Sequence, residues 1–178
     1  MKLFIQPQNV EIAAAIIKEA ENFADDVIGT VDYTDSNQSD KNKIRDDHFI
    51  SKIGEEAVKI VFRKLGKAVT SPDYKIYRDK RKSWKEDLKI DNIPMAVKTQ
   101  RRSTALIFGL SWTFQCSDTR SDPILQRPEA WVCFVEYNDL HGQECIVYPP
   151  RQIRELIFKP PRKQSLRGMK KVVYADDL

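Results

Sequence analysis

Asp87 and Lys98 stand near the two ends of SWKEDLKIDNIPMAVKTQ, residues Ser83 to Gln100, and the residues between them have the pattern of a tight hairpin. Leu88 and Ile90 alternate with Lys89, Asp91-Asn92-Ile93-Pro94 supplies turn chemistry, and Met95 to Thr99 resumes a β-prone run. In antiparallel strands joined this closely, side chains on one face come together, so an acid and a lysine would share one small site. A carboxylate can hold a divalent cation that polarises a phosphate and acidifies bound water.

The same residues resemble the hairpin of the PD-(D/E)XK nuclease superfamily, the fold of many restriction endonucleases and junction resolvases. That family places an Asp on one strand, then Glu or Asp, any residue, and Lys on the next, often followed by Thr or Ser. The matching positions are Asp87, Ala96 and Lys98, followed by Thr99 and Gln100. Ala96 stands where the second carboxylate is expected. Three explanations stay open: another acid has taken over its role, catalysis has been lost, or the alanine is an inactivating substitution.

The resemblance implies Asp87 as the central metal ligand, the Val97 carbonyl as a further ligand, and Lys98 as the group that orients the attacking water. Gln100 resembles a polar residue found after the lysine in several members. KIGEEAVKIVFRKLG resembles the helix that precedes the hairpin, from which Glu55 or Glu56 would supply the missing carboxylate. Asp91, in the turn, is the weaker substitute. The implied cofactor is Mg²⁺ or Mn²⁺, and the implied partners are double-stranded DNA and a second copy of the chain. The expected function is that of a metal-dependent DNA endonuclease, of the type II restriction or mobile-element kind. The other reading is a catalytically inactive nuclease-fold protein that binds nucleic acid or serves as an assembly subunit.

Several elements would position these residues. Asn9 is a good N-cap, and Val10, Ala13, Ala14, Ile17, Ala20 and Ala24 recur at helical spacing, predicting a helix over about 9–29. The polar run from Thr30 to Lys43 reads as a loop. Ile50, Ile53, Ala57, Ile60, Val61 and Leu65 predict a second helix from about Asp46 to Leu65, closed by Gly66. Tyr74 to Arg78 is the expected first strand, and the literal Pro72-Asp73 before it lies too far from Lys98 to be the site acid. The run from Ala105 to Gln115 leans toward β. Ser117 to Glu129 has a surface-loop composition, and Trp131–Tyr137 and Cys145–Tyr148 form a further hairpin. A helix is expected at Arg151 to Phe158, then a basic tail over about 159–178. Together these predict one α+β domain, with a restriction endonuclease-like core and a mixed central sheet flanked by helices.

Composition agrees with a globular chain: 178 residues are enough to bury a core without staples, and 41% are hydrophobic. The 31% charged residues exceed the usual quarter and point to a charged partner or a heavily solvated surface. The net charge of +4 is unevenly spread. Glu11, Glu19, Glu21, Asp25, Asp26, Asp32, Asp35 and Asp40 outweigh Lys2 and Lys18 at the start, whereas basic residues gather at 75–102 and 151–171. Lys80, Arg81, Lys82, Lys85, Arg101 and Arg102 are the candidate phosphate contacts. Cys116, Cys133 and Cys145 match neither a disulfide framework nor a zinc spacing, and His48 and His141 are isolated, so thiol or histidine catalysis has no support. With no apolar segment of membrane-spanning length, a cytoplasmic location is the expectation.

Overall fold

The computed structural model describes residues 4–28, 40–77 and 86–178. It is a mixed α+β fold in which one central sheet separates a helical layer from a second, smaller sheet. Strand β1 (Gln8–Glu11) leads to helix α1 (Ala14–Ile28) and helix α2 (Lys41–Lys64). The hairpin β2 (Leu88–Ile90) and β3 (Ile93–Arg101) follows, then helix α3 (Arg102–Phe108) and strand β4 (Ser111–Gln115). Strands β5 (Trp131–Asn138), β6 (Glu144–Val147), β7 (Arg151–Gln152) and β8 (Lys170–Tyr174) complete the chain.

The central sheet runs β1-β6-β5-β3-β2, with β7 also paired to β5. Its β3–β5 pair is parallel, from Met95 beside Trp131 to Arg101 beside Tyr137, and its other pairs are antiparallel. Side-chain alternation along β3 and β5 therefore divides the core in two. Met95, Val97, Cys133 and Val135 face the helices and pack with Ile53, Ala57, Val58 and Phe62 of α2. Ala96, Val132 and Phe134 face the other way, against Trp112 and Phe114 of β4 and Val173 of β8. Strand β5 is buried on both faces, which its unbroken apolar run WVCFV anticipates.

The hairpin turns through Asp91 and Asn92, with φ of 48° and 66°, so Ile90 pairs directly with Ile93. Two successive left-handed residues give the turn whose twist suits adjacent strands, and Asp-Asn tolerates that backbone. Ile93 and Pro94 belong to the strand, before its pairing with β5 begins at Met95. Helix α2 begins at Lys41 rather than Asp46, because the Asp40 carboxylate accepts the Asn42 and Lys43 amides at 3.0 and 3.3 Å.

Five sequence expectations are corrected. Asn9 lies in β1, where Val10 and Ile12 are buried between exposed Asn9 and Glu11; this period of two, and pairing with β6, hold the strand. Residues 74–77 form no strand, and Arg78 lies outside the described residues. The stretch expected as β from Ala105 starts within α3, and only Ser111–Gln115 is strand. Arg151 to Phe158 holds a short strand and a single 3-10 turn, Ile153–Glu155, instead of a helix. The basic tail is equally a core element: β8 pairs antiparallel with β4 and buries Val172, Val173 and Tyr174.

Candidate functional site

Strand β2 ends opposite Met95, so the edge of β3 beyond that residue has no strand partner on that side among the described residues. Asp87 fills the first place. Its N–H donates to the Met95 carbonyl at 3.2 Å, and its Oδ2 accepts the Val97 N–H at 2.7 Å, extending the ladder with a side chain. Its Oδ1 carries no bond to a described residue. The N–H and C=O of one strand residue point to the same edge, so the Val97 carbonyl opens on the side where Asp87 stands.

Lys98 lies on the face toward the small sheet. Its Nζ is 2.8 Å from Asp122 Oδ2 and 4.8 Å from the centre of the Phe114 ring. Asp122 is anchored from both sides: its Oδ2 accepts the Gln115 N–H at 3.2 Å, and its own N–H donates to the Gln115 carbonyl at 3.0 Å. Lys170, paired with Gln115 across β4 and β8, lies near enough for the charges of Lys98 and Asp122 to act on its ammonium. Burial, reinforced by the positive charges of Lys43 and Lys98, pushes its pKa below the ordinary lysine range, while Asp47 and Asp122 oppose that shift.

Glu55 and Glu56 belong to the other face. Thr99, next to Lys98, meets α2 at Gly54, where an added Cβ would overlap Thr99 Oγ1. The glycine in the GEE motif is thus a point of close helix–sheet approach. Both Glu55 oxygens bond Lys52 Nζ, at 2.7 and 3.0 Å, and Oε1 also accepts the Ser51 hydroxyl at 3.2 Å. Lys52 in turn lies over the rings of Phe23 and Tyr74. Glu56 is paired with Lys59. Burial, then the charges of Glu56, Glu19 and Glu55, raises the Tyr74 hydroxyl pKa. Glu55 and Glu56 are 3% and 2% exposed, and each needs its lysine to offset desolvation.

The remaining candidates hold structure together. Ala96 packs on the Trp112–Phe134 cluster, on the same face as Lys98. Gln100 Oε1 accepts the Ser111 N–H at 2.6 Å and its Nε2 donates to the Gly109 carbonyl at 3.4 Å, fastening the turn between α3 and β4. Asp91 accepts the Ala68 N–H at 3.0 Å and pairs with Lys67 at 2.9 Å, which engages both of its oxygens. Arg101 pairs with Asp46 at 3.3 Å, and Arg102 with Glu136 at 2.7 Å. Lys80, Arg81, Lys82 and Lys85 lie outside the described residues. Burial raises the Cys133 thiol and pushes Cys145 up to about 12, which keeps both protonated.

Of the two residues expected to share a site, Asp87 is bonded to the Val97 amide and Lys98 is paired with Asp122 instead of with Asp87; Asp122 itself sits in a stretch read only as a surface loop. Nothing local in SDTRSDP marks that acid. Its partnership with Lys98 exists only once β4 has folded over the sheet.

No family model matches the chain, and neither a curated protein nor a solved structure matches it. Among the described residues, no group of three or more His, Cys, Asp or Glu side chains is placed to hold a metal ion, and no helix is long and apolar enough to cross a membrane.

Proposed function

We propose that the chain is a metal-dependent endonuclease that hydrolyses DNA phosphodiesters at the open edge of β3, acting as a homodimer. The observation that carries this reading is the conjunction at Val97 and Lys98. A carboxylate with one oxygen that bonds no described residue sits on the amide of one residue, and a partly buried ammonium belongs to the next. The donor set suits an open site rather than a closed cage. Mg²⁺ retains several waters and binds through one or two carboxylates plus substrate phosphates, and Asp87 Oδ1 offers one such ligand beside the Val97 carbonyl. A bound cation would neutralise phosphoryl charge and supply a water of lowered pKa.

In this reading Lys98 holds the attacking water by its Nζ and offsets the negative charge that grows on the phosphoryl oxygens. Asp122 fixes the ammonium in place, and the Phe114 ring beneath it restricts access from the core. The water oxygen bonds to phosphorus, the bond from phosphorus to the 3′ oxygen breaks, and the proton released by the water is balanced by one taken up at that 3′ oxygen. Arg101 and Arg102 lie at the end of β3, where rearrangement of their ion pairs would free them for phosphates.

A second reading has its own support: Ala96 supplies no carboxylate, and Glu55 and Glu56 are committed to lysines, as in a nuclease-fold protein that only binds nucleic acid. Incubation with supercoiled plasmid in Mg²⁺ or Mn²⁺ separates the two. The endonuclease reading expects nicked or linear product that EDTA prevents. Salt-sensitive retention of intact plasmid favours the binding protein, and the absence of both cleavage and binding at low salt removes both readings.

A further inference from the structure

We infer that Asp122 supplies the carboxylate missing at Ala96, so that the site acid comes from the loop after β4 instead of the strand that carries the lysine. This rests on the endonuclease reading above and adds a ligand to it.

Both oxygens of Glu55 are bonded to Lys52 on the helical side of the sheet, where Glu56 is likewise buried and paired through Oε2 with Lys59. Both oxygens of Asp91 are held, by the Ala68 amide and Lys67. Asp122 differs. Its bonds to Lys98 and to the Gln115 amide both go to Oδ2, and Oδ1 carries no bond to a described residue. Asp87 has the same form, anchored by Oδ2, with Oδ1 bonded to no described residue. Two carboxylates thus attach to consecutive residues of β3, Asp87 to the Val97 amide and Asp122 to the Lys98 ammonium, each with an oxygen that bonds no described residue.

Position agrees with chemistry. Ala96 and Lys98 are two apart on one strand and therefore share a face, and Asp122 reaches Lys98 on that face. A carboxylate projecting from position 96 would enter the same side of the sheet. The Asp122 backbone is fixed at both ends, by the Gln115 pair and by the 3-10 turn Pro123–Gln126 that follows, where the Leu125 N–H donates to the Asp122 carbonyl at 3.0 Å. The carboxylate is therefore built into the loop and not carried on a free tip. Two acids with water and a substrate phosphate make a shell that Mg²⁺ or Mn²⁺ accepts.

The test uses the full chain and Mn²⁺ as the probe, with affinity read by titration calorimetry and plasmid cleavage measured alongside. Asp122→Asn preserves shape and the bond from the Gln115 amide. It is expected to weaken Mn²⁺ binding by about 10- to 100-fold, the loss that removal of even an outer partner of a metal ligand brings, and to abolish cleavage. The same loss of Mn²⁺ affinity is expected when Asp122→Asn is made in a Lys98→Met background, because a ligand does not depend on the ammonium. If Asp122 acts only by holding Lys98, Asp122→Asn leaves Mn²⁺ affinity unchanged there, and the inference is overturned. Wild-type cleavage with unaltered cleavage in Asp122→Asn also overturns it while sparing the endonuclease reading. A wild-type chain that neither binds Mn²⁺ nor cuts overturns both.

Discussion

At the scale of single residues, the same charge types serve two purposes that the sequence does not separate. Lys98 and Lys52 both pair with carboxylates, yet Lys98 is partly open to solvent and Lys52 is buried with its partner. The Lys98–Asp122 pair is partly exposed, at 28% and 24%, and such a pair contributes modestly to folding, so Lys98→Ala is expected to shift unfolding free energy by about 1 kcal/mol while removing activity. Glu55→Gln strands the buried Lys52 ammonium, and a chemical-denaturation curve should show a loss of about 3–5 kcal/mol. A Glu55→Gln chain with wild-type stability and lost Mn²⁺ binding would instead make Glu55 a ligand, as the family resemblance implies. Asp87 and Lys98 were legible because they lie on one short hairpin, whose register follows from alternation and the Asp-Asn turn. Asp122 was not, because its partner is remote in sequence and its loop has no periodicity.

At the scale of elements, the contact between Gly54 and Thr99 sets how closely α2 lies on β3. Gly54→Ala gains helix propensity but forces the helix off the strand, a net destabilisation on the order of 1–3 kcal/mol. Adding Thr99→Ala should recover most of it, as a thermal midpoint would show; no recovery would place the strain elsewhere. The hairpin has its own lock in Asp91. The hydrogen bond from Lys67, and then that from the Ala68 amide, hold its carboxyl below the usual range. A folded pKa lower than the unfolded one stabilises above the unfolded value, and this contribution fades as pH falls through the folded one. The wild type should therefore lose stability relative to Asp91→Asn below about pH 4, and parallel midpoints for the two chains across that range would refute the lock. Helix α2 and strands β3, β5 and β6 were readable from periodicity. The β1 strand was not, since Val10 and Ala13 also fit a helical stripe and only pairing with β6 decides between the two.

For the whole molecule, the C-terminal segment is the largest departure from what the sequence suggests. Dense basic charge after Pro160 and Pro161 reads as a tail, but β8 closes the second core and brings Lys170 near Lys98 and Asp122. Ending the chain after Gly168 would expose Trp112 and Phe114 and remove three buried side chains, each worth about 1.5–3 kcal/mol. That approaches the total stability of a domain, about 5–15 kcal/mol, so the truncated chain should lack a cooperative unfolding transition. A native-like transition would mean that the small sheet is dispensable. Layering explains why sequence reading stops where it does: strand alternation shows which residues share a face, and only the packed layers show what covers that face.

The central proposal is that Lys98 acts at β3 upon a scissile phosphate. Its most direct test is the cleavage rate of one supercoiled plasmid in Mg²⁺ by the wild type and by folded Lys98→Ala. Cleavage by the first and none by the second is the predicted result. Equal cleavage by both chains, or an intact plasmid with the wild type in Mg²⁺ and in Mn²⁺ alike, would contradict it.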